Sequence, residues 1–207
     1  FVVGLRYDHH RLKPSTDALF NNSNVASNQL AHIKDGALSK KFGLLFTLND
    51  DLTAYAQYAE GFRSPDYESA NLTFTNFAYY YSVAPNPDLE SEQSAGYELG
   101  LRGMHSGLSW SMALYHTDYE DFIETALTGS TPRGISIYQY VNLNDVTIKG
   151  AEFEITQRFF DNWNAKFAAN RTYGDSAGEA LTTINPSEAI LSLQWRSNGA
   201  NLGVLGL

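Results

Sequence analysis

Glu152-Phe153-Glu154-Ile155-Thr156-Gln157-Arg158-Phe159 decides the fold class. Phe153, Ile155 and Phe159 fall on one side, and Glu152, Glu154, Thr156 and Arg158 on the other. Successive side chains of an extended backbone point to opposite faces, so this stretch reads as a strand with one apolar and one polar face. The pattern recurs on both sides of it. Trp163, Ala165, Phe167 and Ala169 oppose Asn164, Lys166 and Asn170; Leu191, Leu193 and Trp195 oppose Ser192, Gln194 and Arg196. Upstream, Leu108, Trp110, Met112 and Leu114 oppose Ser109, Ser111 and Ala113. Tyr97, Leu99 and Leu101 oppose Glu98, Gly100 and Arg102, and Val3, Leu5 and Tyr7 oppose Gly4, Arg6 and Asp8. No segment shows a sustained i, i+3, i+4, i+7 stripe, so no helix is expected.

The connections alternate in length. Asn49-Asp50-Asp51, His105-Ser106-Gly107, Phe160-Asp161-Asn162 and Ser197-Asn198-Gly199-Ala200 carry the residues that tight turns prefer. Between them lie longer polar stretches: Arg11 to Gly36, Pro65 to Ser91, Ala126 to Ile137 and Gly174 to Pro186. Turns on one rim and loops on the other give an up-and-down meander, the asymmetry of outer-membrane barrels. The runs Leu52 to Ser64, Ser91 to Met104, Leu108 to Ile123 and Tyr138 to Phe159 exceed the usual strand of about five or six residues. A tilted strand needs about 9–11 residues to cross a bilayer. Aromatics gather near strand ends, at Tyr115, Tyr119 and Phe122, at Tyr138 and Tyr140, at Phe159, Phe160 and Trp163, and at Trp195. That suits an aromatic girdle at each interface. The expected fold is all-β: an antiparallel up-and-down transmembrane β-barrel, incomplete, with residues 1–207 one part of a larger barrel domain. A soluble sandwich or propeller with shorter strands is the competing reading.

Composition agrees. The 207 residues carry a net charge of -9 and no cysteine. An acidic chain, of pI about 4.9, lacks the basic face that nucleic acids require. Without cysteine there is no disulfide scaffold, thiolate zinc site, iron–sulfur cluster or cysteine nucleophile. A mean hydropathy of -0.31 and the lack of a long apolar run exclude membrane-spanning helices but not a barrel. The chain starts without Met and in mid-pattern, which reads as an internal fragment. Roughly nine strands are expected, an odd number that should leave the sheet unclosed.

Tyr55-Ala56-Gln57-Tyr58-Ala59-Glu60-Gly61-Phe62-Arg63-Ser64-Pro65 resembles the TonB-dependent outer-membrane receptors. In their haem and haemoglobin branch a Phe-Arg-Ala-Pro motif ends a strand, and a long extracellular loop then leads to Asn-Pro-Asn-Leu. The counterparts here are Phe62-Arg63-Ser64-Pro65 and Asn86-Pro87-Asp88-Leu89. Glu90 through Leu101, Tyr119-Glu120-Asp121-Phe122-Ile123, Tyr140-Val141-Asn142 and Gly150-Ala151-Glu152-Phe153-Glu154 extend the likeness over nearly the whole chain. It implies a bacterial outer-membrane receptor for uptake of haem, a transported ligand rather than a resident cofactor. Its implied partners are haem or a haem-carrying protein, outer-membrane lipid or lipopolysaccharide, and the TonB complex acting through a plug segment absent from this sequence.

In many such receptors a His in the loop between the motifs coordinates iron. Between Pro65 and Asn86 this sequence has no His; it has Tyr67 and Tyr79-Tyr80-Tyr81. Tyrosine phenolate is a haem ligand, so one of Tyr79, Tyr80 and Tyr81, or else Tyr67, is the candidate axial ligand, with neighbours stacking on the porphyrin. Were 79–81 extended, Tyr79 and Tyr81 would share a side and Tyr80 take the other. Phe62, Arg63 and Pro65 read as the anchor where the loop departs, and Asn86, Pro87 and Leu89 as the turn where it returns.

Other candidates are weaker. His9 and His10 are adjacent and would face opposite ways; His32 lies in a polar loop, and His105 in a turn on the opposite rim. Asp118, Glu120 and Asp121 form an acidic patch suited to Ca²⁺, to a solvated rim, or to lipopolysaccharide contact through divalent ions. There is no Gly-x-Ser-x-Gly, His-Glu-x-x-His or Gly-rich phosphate loop, so no enzyme is expected. A siderophore or other iron-complex receptor and a passive porin-like barrel remain as alternatives.

Overall fold

The computed structural model describes residues 1–15, 30–181, 183–185, 187–197 and 200–206, with 197 and 200–206 described by backbone alone. The Asn198-Gly199 centre of the fourth expected turn, residues 16–29 of the first loop, and Thr182 and Pro186 of the last loop lie outside the described residues.

Most of the chain forms one large antiparallel sheet. Its path runs β1 (Val2–Leu12), β2 (Ile33–Asn49), β3 (Leu52–Arg63), β6 (Glu92–His105), β7 (Leu108–Glu120), β10 (Val146–Phe159), β11 (Trp163–Ser176), β13 (Glu188–Ser197) and β14 (Ala200–Gly206). A two-residue strand, β12 (Glu179–Ala180), pairs with β11. The path is open, with β1 and β14 at its ends. Up-and-down order follows from the short turns. At one of them the Asp51 amide donates to the Asn49 side chain (3.0 Å). Another is reversed by left-handed Ser106 and Gly107.

Register sorts the side chains into two faces. Leu45, Tyr55, Gly100, Ala113, Glu152, Asn170 and Glu188 are successive cross-strand partners. One residue along, on the opposite face, run Phe46, Ala54, Leu101, Met112, Phe153, Ala169 and Ala189. The first row belongs to a mostly polar face and bears a cavity of about 440 Å³. The second belongs to an apolar face, and its Phe46, Met112 and Phe153 are exposed. Along β10 the apolar stretch from Ala151 to Phe159 covers about 26 Å of strand at about 3.3 Å per residue. Aromatics mark both ends of the apolar band. Phe159 stacks on Trp163 (6.2 Å) near the turns, and Tyr58 meets Tyr97 (5.0 Å) near the loops.

Two of the long runs are not single strands. Leu108 to Ile123 breaks at Asp121, and Tyr138 to Phe159 breaks before Val146. Asp121 and Asp145 both adopt left-handed backbone, with φ of 54°, a conformation that Asp tolerates better than most residues. At these kinks the chain leaves the wall and enters a second sheet of four strands: β4 (Phe74–Asn76), β5 (Tyr81–Ala84), β9 (Ser136–Leu143) and β8 (Phe122–Ser130). The stretch expected as a loop from Ala126 to Ile137 is therefore mostly hairpin, with Thr131–Ile135 as its tip. Pro65 to Ser91 is likewise not irregular throughout. It holds a five-residue helix, α1 (Tyr67–Asn71), as well as β4 and β5. The lack of helical periodicity did not exclude this single turn, because capping rather than amphipathicity makes it: the Asp66 carboxylate accepts the Ser69 amide (2.7 Å).

Candidate functional site

The second sheet sits at the loop rim, where the buried residues also collect. Ala31, Ile33 and Ala70 form one small core with Leu12 against it; Pro65, Leu89, Ile123 and Val146 are also buried. The wall has few buried residues because a single sheet layer has nothing stacked on either face.

The first motif ends β3. Arg63 lies 3.6 Å from Glu92 at the start of β6. Glu92 in turn accepts the Ile123 amide (3.1 Å), so one nearly buried carboxylate ties the loop's departure point to the start of the β8–β9 hairpin. Ser64 and Ser91 both donate to Asp35 of β2, closing the base of the loop. Phe62 is half-buried and Pro65 fully buried. Pro65 supplies no amide donor where β3 must stop. Asp66 follows as helix cap, and the Ser69 amide on its carboxylate holds its pKa below the usual aspartate value. Asn71, at the end of α1, accepts the Ala31 amide (2.8 Å).

The second motif closes the loop. Asn86 donates its side-chain amide to the Tyr140 carbonyl (2.7 Å) and accepts the Asp88 amide (3.2 Å). Pro87 is half-buried and Leu89 buried. Two neighbours complete the clip: Gln139 donates to the Pro85 carbonyl (2.7 Å), and Asn142 accepts the Glu90 amide (2.9 Å). Asn142 also donates to the carbonyls of Glu90 (3.0 Å) and Asp121 (2.8 Å). The loop is thus stitched to the hairpin by side-chain amides satisfying backbone groups, and its base is held by the Asp35 and Glu92 carboxylates; the sequence pattern assigned no such role to Gln139, Asn142, Asp35 or Glu92. β5 also pairs in parallel with β9, Tyr81 opposite Ser136 and Ala84 opposite Gln139.

The three tyrosines do not lie on one strand. Residues 77–80 form a turn, and only Tyr81 begins β5. Tyr80 has left-handed backbone (φ 53°), a strained state for a bulky side chain. Alternation therefore does not order Tyr79, Tyr80 and Tyr81 into sides. The tip is nevertheless held. Asn76 accepts the amides of Ala78 (3.1 Å) and Tyr79 (3.2 Å), and the Ser136 amide donates to the Tyr80 carbonyl (2.9 Å). Tyr79 (79% exposed) and Tyr80 (62%) project, whereas Tyr81 packs between Phe74 (6.0 Å) and Tyr138 (6.4 Å). Tyr67 is exposed on α1, and Phe74 and Phe77 are exposed nearby. The result is a fixed aromatic prominence with two exposed phenols, able to stack on a flat ligand or to offer an oxygen to a ferric centre.

His105 pairs with Asp51 (2.8 Å) on the turn rim, and His116 with Asp118 (3.0 Å) on β7. His10 is half-buried and His32 exposed. Among the described residues no group of three or more His, Asp or Glu could hold a metal ion, so the acidic patch at Asp118, Glu120 and Asp121 is not a built cation site. On the polar face of the wall, Glu98 accepts from Tyr55 and from Gln57 (2.9 Å), and Arg102 lies 4.9 Å over the Tyr55 ring. The ring lies so close to Gly100 that a Cβ there would come within 2.2 Å of it.

The family described as "TonB dependent receptor-like, beta-barrel" matches residues 1–207. A probable hemoglobin and hemoglobin-haptoglobin-binding protein 4 of Haemophilus influenzae is 25% identical over 192 residues, covering 82% of this chain and 19% of that protein. The ferric enterobactin receptor of Pseudomonas aeruginosa is 27% identical over 209 residues, covering 94% of this chain and 26% of that protein. Among solved structures, the copper transporter OprC superposes with a TM-score of 0.72 at 23% identity, over 95% of this chain and 29% of that one. The chain thus spans about a fifth to a quarter of the length of these curated relatives.

Proposed function

The chain belongs to the TonB-dependent receptor β-barrel family, an outer-membrane family, and from that premise we propose that it forms wall and outer rim of a receptor taking up haem. In this reading the loop rim is extracellular and the polar face lines the lumen. Asp66 to Pro85, docked on the β8–β9 hairpin, presents Tyr79 and Tyr80 to the ligand. Haem is cargo, taken free or from a haem-carrying protein. Release inward requires a plug segment and the TonB complex, supplied by the rest of the receptor. The role is non-enzymatic, in line with relatives that are transport receptors.

The observation that carries this reading is the pinned tip with its two exposed phenols. The haemoglobin-binding relative supports haem. A ferric siderophore is the second reading, favoured by the enterobactin receptor's match to 94% of the chain and by the lack of His between the motifs.

The test titrates the full-length receptor with haem and, separately, with a ferric catecholate siderophore. Haem binding should give a Soret band and a high-spin ferric spectrum, and a Tyr→Phe change at the ligand should alter that spectrum sharply while leaving the other variants near wild type. Tight siderophore binding without a Soret shift would overturn the haem reading. Unchanged spectra in Tyr67→Phe, Tyr79→Phe, Tyr80→Phe and Tyr81→Phe would end the phenolate assignment and move attention to His32.

A further inference from the structure

The polar face of the wall changes sign between its middle and the turn rim. Its central levels run from Gln57, Glu98 and Tyr115 to Ser109, Thr156 and Lys166. Among the described residues, the charges on these levels are Glu98, Glu152, Glu154 and Glu188, with Arg102 and Lys166 against them. Lys166 is paired with Glu154 (2.9 Å), and Arg102 lies over the Tyr55 ring. Glu152 and Glu188 flank Asn170 at one level. Beyond Lys166 the face becomes basic. Arg158, Asn164 and Gln194 are cross-strand partners, and Arg196 follows two residues after Gln194, on the same side.

These four side chains line a cavity of about 390 Å³ at the β10–β11 turn, together with Thr156, Asp161 and Asn162. Its two arginines are fixed through their backbones. The Arg158 amide donates to the Gly107 carbonyl of the β6–β7 turn (2.9 Å), and the Arg196 amide to the Asn162 carbonyl of the β10–β11 turn (2.9 Å). Both residues are exposed, and among the described residues neither takes part in an ion pair. Asp161 is the only carboxylate among the described lining residues and faces two guanidinium groups, so positive charge is in excess. The other acids of this rim, Asp50 and Asp51, belong to the β2–β3 turn, where Asp51 is engaged by His105 (2.8 Å). Two guanidinium groups and two carboxamides lining one cavity form a donor set for an oxyanion. The acidic levels behind it repel the same anion.

We propose that Arg158 and Arg196, with Asn164 and Gln194, form an exit-side site that binds the negatively charged oxygens of the cargo as it leaves the lumen at the turn rim. The inference rests on the reading above, in which the polar face lines the lumen and the cargo is anionic; for haem those oxygens are its carboxylates. The arginines offer forked pairs of N–H donors and the carboxamides single ones. The acidic middle of the wall keeps an anion from settling there, so the basic cavity draws it toward the turn rim. The site stands at the opposite end of the wall from Tyr79 and Tyr80 and acts on passage rather than on capture.

The experiment uses the full-length receptor in cells, with whichever cargo it binds tightly in the titration above, haem or the ferric catecholate. Three quantities are read: cargo affinity, the initial rate of energised uptake, and leakage of a bulky antibiotic through the outer membrane. Arg158→Gln with Arg196→Gln should slow uptake about tenfold at unchanged affinity and without a leak. Arg158→Lys with Arg196→Lys keeps the charge and loses the fork, so its rate should fall between wild type and the Gln variant. An unchanged rate in the double Gln variant, or a Lys variant no faster than it, would overturn the site. So would a leak, which would show that the arginines hold other parts of the receptor rather than the cargo. Should the double variant not assemble, Arg158→Gln and Arg196→Gln are read singly, each expected to slow uptake about threefold. A missing Soret band sinks the haem reading alone, since the arginines are then tested with the siderophore; binding of neither cargo would overturn both.

Discussion

The wall and the rim solve the problem of stability in opposite ways. On the wall, β10 pairs along its length with β7 and β11, yet Phe153, Met112 and Leu114 stay exposed in the isolated chain. Its backbone is satisfied internally while its apolar side chains require an outside apolar medium, as a membrane sheet demands. On the rim, Val146, Ile123, Leu89 and Pro65 are buried, and Asn86, Gln139 and Asn142 satisfy backbone groups of neighbouring segments. The wall takes its solvent from the bilayer; the rim, standing in water, has to build its own core. Position along a strand therefore decides whether an exposed hydrophobe belongs to the lipid-facing band or to the water-exposed rim.

The contrast can be broken by substitution. The largest effect is expected from Phe153→Arg, which puts a charge in the lipid band and should cost about 2–4 kcal/mol in urea unfolding of the vesicle-reconstituted receptor. Glu154→Gln on the opposite face should be mild, and equal costs would show that the faces are misassigned. Ile123→Ala removes a buried rim side chain and should cost about 2–3 kcal/mol, confined to the rim. Hydrogen exchange should report it as faster exchange in β8, β9 and the Asp66–Pro85 loop while β10 stays protected. Uniform loosening of the wall would argue that rim and wall are one cooperative unit.

Asn86→Ala leaves the Tyr140 carbonyl without its donor and should cost about 1–2 kcal/mol locally. The expected readout is faster proteolysis of the loop in intact cells without loss of the barrel. The smallest effect concerns the α1 cap. Asp66→Ala should cost about 1 kcal/mol. Because the Asp66 pKa is lowered on folding, its contribution is complete above the ordinary value of 3.8 and fades as pH falls through the depressed folded value. Protection of the Ser69 amide, its exchange rate taken relative to the intrinsic rate at each pH, should therefore fall on acidification in wild type and be less pH-dependent in Asp66→Asn. A cap that strengthened on acidification would contradict the assigned proton linkage.

Much of the wall was legible in the residues themselves. Period-two alternation states which side chains share a face, and Asn, Asp, Ser and Gly clusters state where the chain reverses. Those two signals sufficed for an up-and-down sheet with Phe153 and Glu154 on opposite faces. The motif residues Phe62-Arg63-Ser64-Pro65 and Asn86-Pro87-Asp88-Leu89 pointed to the family. Alternation says nothing, however, about which partner a strand takes, because the same pattern fits any neighbour. Nor does it detect a kink that preserves an extended backbone on both sides. Asp121 and Asp145 each redirect the chain with one left-handed residue, so 122–143 leaves the wall although its strand character never lapses. Tyr79 and Tyr80 fall in a stretch that reads as loop, and only the structure shows that they lie in a turn whose backbone Asn76 and Ser136 hold. Local sequence thus determined periodicity, faces and tight turns, which depend on neighbours within a few residues. The rim sheet, the parallel pairing of β5 with β9 and the carboxylate link from Arg63 through Glu92 to Ile123 were decided only by tertiary structure. They join segments tens of residues apart, and the loop-closure cost of bringing them together is offset only when the whole rim packs at once.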